Sequence, residues 1–168
     1  MTPCPLCESD RVRKIFEKRG ISYQRCLACE FVFSRPDTNP NLANTLEDYE
    51  PGYMEYLVES EVDERNHSAL LRWVEHFFPI AGQKVLDIGC GVGKLVRFLR
   101  RRGIEAYGIE PAPALYSRFL AEEPFFFQQT IEEFADVSDR EEFQILFACD
   151  VIEHLEEPKG FLRSTTSL

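Results

Sequence analysis

The sequence predicts an α/β protein in which a small cysteine-bearing ribbon precedes a helical segment and a domain with a parallel β-sheet. Three observations carry this prediction: two paired cysteines near the start, a glycine-rich turn at Asp87–Gly93, and apolar strands that alternate with helical patterns after residue 82. The expected boundaries are 1–36 for the ribbon, 37–81 for a linker and helical segment, and 82–168 for the sheet domain.

The ribbon contains two C-x2-C pairs, which are separated by 18 residues. This spacing is typical of a structural zinc site, because each pair can direct two thiolates at one ion and four thiolates complete a tetrahedron. Disulfides and ordinary buried thiols are the alternatives, and a reducing cytoplasm disfavours disulfides. The predicted ligands are Cys4, Cys7, Cys26 and Cys29. The predicted ribbon strands are Val12–Phe16, Ile21–Arg25 and Phe31–Phe33.

The middle segment begins with the turn-rich stretch Arg35–Pro40, which indicates a linker. Apolar residues then recur near a helical period from Tyr53 to Phe78, and Pro79 and Gly82 close this predicted helix.

Four strands and three helices are predicted in the last segment. The strands are Val85–Ile88, Glu105–Ile109, Phe125–Gln128 and Phe143–Ala148, and the helices are Leu95–Arg102, Ala114–Leu120 and one that begins at Phe161. Basic residues in the last turn of the first of these helices suit its negative end, and Gly103 suits its cap. Alternation of this kind favours a parallel sheet with helices on both faces.

Charge and composition disfavour nucleic acid and membrane as partners. The net charge is -10, and only residues 1–35 are basic, with seven Lys and Arg against four Asp and Glu. Such a chain mostly repels phosphate. No apolar run approaches the roughly 20 residues of a membrane helix, and the N-terminus lacks the pattern of a signal peptide. The sequence therefore predicts a cytoplasmic protein.

The glycine-rich turn reads D-x-G-x-G-x-G over Asp87–Gly93, between a strand and a helix. A dinucleotide fingerprint would need a third glycine where Lys94 stands. The acid two residues before Gly89 would oppose a pyrophosphate at this turn. The pattern instead suits a ligand with a cationic amino group.

With this turn, the sequence resembles the class I S-adenosylmethionine-dependent methyltransferases. The resemblance implies a Rossmann-like fold in which the loop, with Gly89, Gly91 and Gly93, wraps the methionine part of the cofactor and Asp87 lies near its amino group. Another nucleotide-binding α/β domain is the alternative.

Later segments extend the resemblance. It implies that Glu110 binds both ribose hydroxyls and that Thr130-Ile131 flanks the adenine. The segment Phe143–Leu155 is similar to the family's fourth-strand and E-H-L pattern, which adds Ala148 to the cofactor-binding residues. Many members have Asp at the position of Thr130, and the family's usual Asp after Phe143 is Gln144 here.

The order of ribbon, helical segment and cofactor domain looks like the zinc-ribbon methyltransferases, which include C-methyltransferases of nucleotide-linked deoxysugars. The family fold has seven strands in the order 3-2-1-4-5-7-6, and four are predicted here. We therefore expect a C-terminally truncated, partial fold whose fourth strand is an exposed edge, open to self-association.

The expected function is S-adenosylmethionine-dependent methyl transfer to a small molecule, with C-methylation of a nucleotide-linked sugar as the finer hypothesis. A carbon nucleophile needs a base, and His154 with neighbouring Glu153 is the candidate, against a structural role for His154. Three tyrosines would line the substrate entrance or pack a helix: Tyr49, Tyr53 and Tyr56. A zinc-ribbon RNA methyltransferase and a non-catalytic zinc- and cofactor-binding module are the alternatives.

Overall fold

The ribbon is a three-stranded antiparallel sheet. The computed structural model describes residues 3–34, 63–136, 143–155, 158–166 and 168. The ribbon strands are β1 Val12–Lys18, β2 Ile21–Cys26 and β3 Val32–Ser34, in the order β1-β2-β3. All three were predicted, with ends displaced by one or two residues.

A four-stranded parallel sheet forms the centre of the second unit. Its strands are β4 Lys84–Ile88, β5 Glu105–Ile109, β6 Phe126–Phe127 and β7 Ile145–Phe147, in the order β6-β5-β4-β7. This arrangement confirms the predicted Rossmann-like α/β class, its four parallel strands and their order. Within the described residues, β7 pairs only with β4 and lies at the sheet edge.

Helices cover both faces of this sheet. They are α1 Asp63–Glu75, α2 Lys94–Arg100, α3 Pro113–Phe119, α4 Ile131–Ala135 and α5 Pro158–Thr165. Alternate residues of β4 point to opposite faces, as the pleat of a strand requires. Val85 packs with Phe98 of α2, whereas Leu86 packs with Phe134 of α4 and Phe161 of α5.

The first helix ends three residues before the predicted end at Phe78. The amides of Phe77 and Phe78 both donate to the carbonyl of Val74, so the helix ends in a turn before Pro79. A proline disfavours helical geometry in the residue that precedes it, which accounts for the earlier end. Residues 53–62 of the predicted helix lie outside the described residues.

The second helix ends in a Schellman motif, which confirms the predicted glycine cap. Ile104 N donates to Leu99 O at 3.2 Å, and Gly103 N donates to Arg100 O at 2.9 Å. Gly103 adopts φ 77°, which a residue with a Cβ reaches only with strain.

Two further helical features differ from the sequence prediction. Helix α4 was not predicted, although Thr130 and Glu133 form a complete capping box at its start. Helix α5 begins at Pro158 rather than Phe161 and ends at Thr165, since proline suits the first helical turn.

A single ion pair is recorded between the ribbon and the sheet domain among the described residues, from Lys159 of α5 to Glu8. None of the helices described is both long and apolar enough to cross a bilayer. The boundaries 1–36, 37–81 and 82–168 stay a prediction.

Candidate functional site

The four ribbon cysteines converge on one point. Their sulfur atoms all lie within 4.8 Å of one another, with 3.7 Å between Cys4 and Cys29 and 3.5 Å between Cys7 and Cys26. A zinc ion with Zn–S bonds of about 2.3 Å places its tetrahedral ligands about 3.8 Å apart. The predicted set is therefore brought together, and its chemistry and spacing fit a zinc ion.

Backbone geometry supports both cysteine pairs in the same way. The amide of Glu8 donates to the carbonyl of Cys4 at 2.9 Å, and the amide of Glu30 donates to the carbonyl of Cys26 at 3.1 Å. Both glutamates have positive φ, 61° and 65°. The backbone N–H group of Cys29 is the main cause that lowers the pKa of Cys26, whereas burial and the neighbouring thiols raise the pKa of Cys29, so without a metal the cluster favours a thiolate at Cys26 first.

A second site lies where β4 and β5 end. The amides of Gly89 and Cys90 both donate to the carbonyl of Ile109, at 2.9 and 3.0 Å, and fold the glycine loop over the end of β5. This brings the loop beside Glu110. The carboxyl ends of parallel strands are where α/β sheets bind ligands.

Glu110 bonds the glycine loop through one carboxylate oxygen and the segment after β5 through the other. Oε2 accepts the amide of Gly91 at 2.9 Å, and Oε1 accepts the amide of Ala112 at 2.9 Å. The side chain is buried, and burial raises its pKa against the opposing effect of these two donors. Each oxygen keeps a further lone pair for a ligand hydroxyl.

Asp87 is a buried carboxylate without a hydrogen-bond partner among the described residues. It is 5% exposed, and burial together with the charge of Glu110 raises its pKa to about 7. An uncompensated buried acid is costly. It therefore fits a cationic ligand group such as an ammonium, which would supply the missing partner.

The three loop glycines have different surroundings. A Cβ on Gly91, at φ 56°, would meet nothing within 4 Å, so this position faces open space. A Cβ on Gly89 would lie 2.7 Å from Val151, and one on Gly93 would lie 2.5 Å from Phe126. Gly91 thus leaves room for a ligand, whereas Gly93 permits close packing against β6.

Three other residues predicted to bind cofactor have defined positions. The Thr130 hydroxyl accepts the amide of Glu133 at 3.2 Å as the cap of α4. Ile131 is buried in the core with Phe134, and Ala148 is exposed just after β7. Their roles toward adenine stay predictions.

The candidate base lies on an exposed turn. Ile152–His154 form one 3-10 turn after β7, and both Glu153 and His154 are exposed. Val151, directly before this turn, covers Gly89 and so brings the turn to the glycine loop. No sequence pattern indicates this contact, because it joins residues 62 positions apart. Tyr49, Tyr53 and Tyr56 lie outside the described residues.

Together, the parallel sheet and the acids at its carboxyl edge define an α/β domain that could hold a ligand bearing both an ammonium and hydroxyl groups. The chain belongs to the methyltransferase-domain family, whose model matches residues 62–168. This match confirms the predicted methyltransferase class.

Curated relatives match somewhat more than half of the chain. The chain is 37% identical over 91 residues to the ubiquinone biosynthesis O-methyltransferase of Azorhizobium caulinodans, across 51% of this chain and 35% of that protein. It is 32% identical over 106 residues to the enzyme of the same name from Acinetobacter baylyi, across 58% of this chain and 44% of that protein. The chain thus spans less than half the length of these relatives.

Solved structures share the fold. The plantazolicin methyltransferase BpumL, in complex with SAH, matches with a TM-score of 0.55 and 16% identity over 74% of this chain and 51% of that one. Magnesium protoporphyrin IX methyltransferase from Synechocystis PCC 6803, with bound SAH, matches with a TM-score of 0.51 and 21% identity. This match covers 63% of this chain and 51% of that one. The likeness to sugar C-methyltransferases stays a prediction.

Proposed function

We propose that this chain binds S-adenosylmethionine at the carboxyl edge of β4 and β5 and contributes to methyl transfer to a small molecule. The observation that carries the proposal is Asp87, a buried acid without a hydrogen-bond partner among the described residues, at the start of the loop whose Gly91 faces open space. The cofactor's ammonium would compensate Asp87, and its ribose hydroxyls would use the free lone pairs of Glu110.

The chain's own contribution is to bind and orient. The cofactor, when bound, supplies a methyl group already activated on a sulfonium, so positioning and exclusion of water are the main tasks of the protein. His154 would take a proton from the acceptor if that atom needs deprotonation, and its exposed turn leaves it accessible to an acceptor.

The acceptor is a small molecule. A negative net charge of -10 opposes a polyphosphate substrate, which counts against an RNA methyltransferase. The curated relatives named above are O-methyltransferases, which favours an oxygen acceptor. The ribbon and domain order supports the second candidate, C-methylation of a nucleotide-linked sugar, and a non-catalytic module would bind cofactor without turnover.

Zinc binding is part of the proposal. The converging sulfur atoms of the four cysteines leave no position on the metal for a substrate, so the ion would stabilise the ribbon rather than take part in catalysis.

Calorimetry with S-adenosylhomocysteine tests cofactor binding. Glu110→Ala removes charge-assisted hydrogen bonds worth roughly 1.5–3 kcal/mol each, so affinity should fall at least about tenfold. Gly91→Val should abolish binding, because its side chain would fill the open face of the loop and strain the backbone at φ 56°. Glu105→Ala is the matched control, because this exposed glutamate lies at the other end of β5. Unchanged affinity in both the Glu110→Ala and the Gly91→Val variant would place the cofactor elsewhere.

A turnover assay separates the remaining candidates. Labelled methyl donor is offered with a phenolic acceptor, a nucleotide-linked keto sugar, or RNA. Label in the phenol supports O-methylation, and label on sugar carbon supports the sugar hypothesis. Cofactor binding without label in any acceptor supports the non-catalytic module.

A further inference from the structure

Arg97 joins the glycine loop to the far end of α3. Its Nη1 donates to the carbonyl oxygen of Val92 at 2.6 Å, and its Nη2 donates to the carbonyl oxygen of Phe119 at 2.6 Å. Its Nε donates to the Glu123 carboxylate at 2.7 Å, and its guanidinium carbon lies 5.1 Å from the ring centre of Phe126. One side chain therefore contacts the loop, the end of α3, the turn after it and β6.

The loop contact falls at the centre of the proposed cofactor site. Val92 lies between the two last glycines of the loop, and its buried side chain packs against Ala112 and Leu115. Its neighbour Gly91 donates the amide that Glu110 accepts. A shift of the Val92 carbonyl would therefore move both the open face of the loop and the acid predicted to bind ribose.

The geometry requires a guanidinium. Its N–H groups form a rigid planar fork, which here serves two carbonyl groups and a carboxylate at once. A lysine could keep the ion pair with Glu123, but a single ammonium cannot present the same fork to Val92 and Phe119. The ion pair is about one-third exposed on each side, so solvent screens it.

We propose that Arg97 is a positioning residue for the cofactor site, which holds the glycine loop in its binding conformation through the Val92 carbonyl. The inference rests on the proposed cofactor binding. The competing explanation is that Arg97 adds only to overall stability, as any well-packed arginine of α2 would.

Arg100 provides the matched control for that alternative. It lies on the same helix, donates to the carbonyl of Ala106 at 2.8 Å and stacks 4.0 Å from the ring centre of Phe125, but it contacts no loop residue among those described. The variants compared are Arg97→Met, Arg97→Lys, Glu123→Gln and Arg100→Met. The free energy of global unfolding is measured for each variant, so that changes in exchange at the loop amides can be compared with the change in overall stability.

Amide hydrogen exchange in the ligand-free chain gives the first test. Arg97→Met should speed exchange at Gly91 and Gly93 by about tenfold beyond the change that its global stability explains. Arg97→Lys should act in the same direction, and Glu123→Gln and Arg100→Met should leave both amides unchanged. If Arg97→Met does not fold, Arg97→Lys carries the comparison.

Calorimetry with S-adenosylhomocysteine gives the second test. Arg97→Met should raise Kd by about tenfold or more, because small displacements of positioning groups are costly, whereas Arg100→Met should keep the parental Kd. Loop exchange or Kd values for Arg97→Met that match those of Arg100→Met would overturn the proposal. A parent chain that binds no S-adenosylhomocysteine would refute cofactor binding instead, and exchange at the two glycines would still decide the role of Arg97.

Discussion

At the scale of single residues, the two acids of the site differ in how they are compensated. The Glu110 carboxylate accepts two backbone amides, whereas the Asp87 carboxylate accepts no hydrogen bond from the described residues. The protein thus keeps one acid in place by its own structure, and in the proposed site the other would be compensated by a ligand. This division is typical of sites where local stability is given up for binding.

Asp87→Asn should stabilise the ligand-free chain at high pH. The folded pKa of about 7 lies above the ordinary 3.8, so the native state binds more protons between those values. The stability that Asp87 contributes is fully present below about pH 4 and is lost as pH rises through 7. The loss amounts to at most about 4 kcal/mol.

Urea unfolding at pH 5 and pH 8 measures this effect. The gain from Asp87→Asn should be larger at pH 8, while affinity for S-adenosylhomocysteine should fall at that pH. The exposed Asp136→Asn serves as the control and should leave the pH dependence unchanged. An equal effect of Asp87→Asn at both pH values would show that this carboxyl does not titrate between them.

At the scale of elements, features that depend on local sequence patterns could be predicted, whereas contacts between distant residues could not. The strands of both sheets and the cap at Gly103 follow from runs and turn residues that the sequence displays. The pattern T-x-x-E at Thr130–Glu133 is typical of a helix N-terminus and could have predicted α4. The family resemblance instead implied that Thr130 binds the ligand, so its capping role was missed. The contact of Val151 with Gly89 depends on tertiary packing and had no local pattern. The bond from Arg97 to Val92 joins residues five apart, but no residue pattern indicated it.

Helix α4 should depend on its capping box. Thr130→Ala removes the acceptor for the Glu133 amide and should lower the free energy of unfolding by about 1 kcal/mol. Thr130→Ser keeps the hydroxyl and should be nearly neutral. Chemical denaturation of the three proteins measures this, and calorimetry shows whether affinity changes as well. Equal stability of the alanine and serine variants would mean that the hydroxyl contributes nothing as a cap.

At the scale of the whole molecule, the two units are stabilised by different means. The sheet domain has apolar clusters on both faces of β4. In the described part of the ribbon, the buried side chains are Cys4, Gln24 and Cys26, and β1 is exposed along almost its whole length. Two of these three residues are predicted metal ligands, so the ribbon has little apolar core apart from the proposed metal site.

Removal of zinc should therefore unfold the ribbon and spare the sheet domain. A ribbon without an apolar core takes its folding free energy from metal binding, as small structural zinc domains do. Purified protein should hold near one zinc per chain. Chelation should collapse the amide NMR signals of residues 3–34 toward random-coil positions, while the signals of β4 and β5 stay dispersed.

Cys26→Ala with Cys29→Ala should reproduce this state without chelator. Cys149→Ser, at an exposed thiol far from the ribbon in sequence, should retain the metal. Full zinc in the double variant, or a dispersed ribbon spectrum after complete removal of zinc, would show that these cysteines do not hold the ribbon together through a metal.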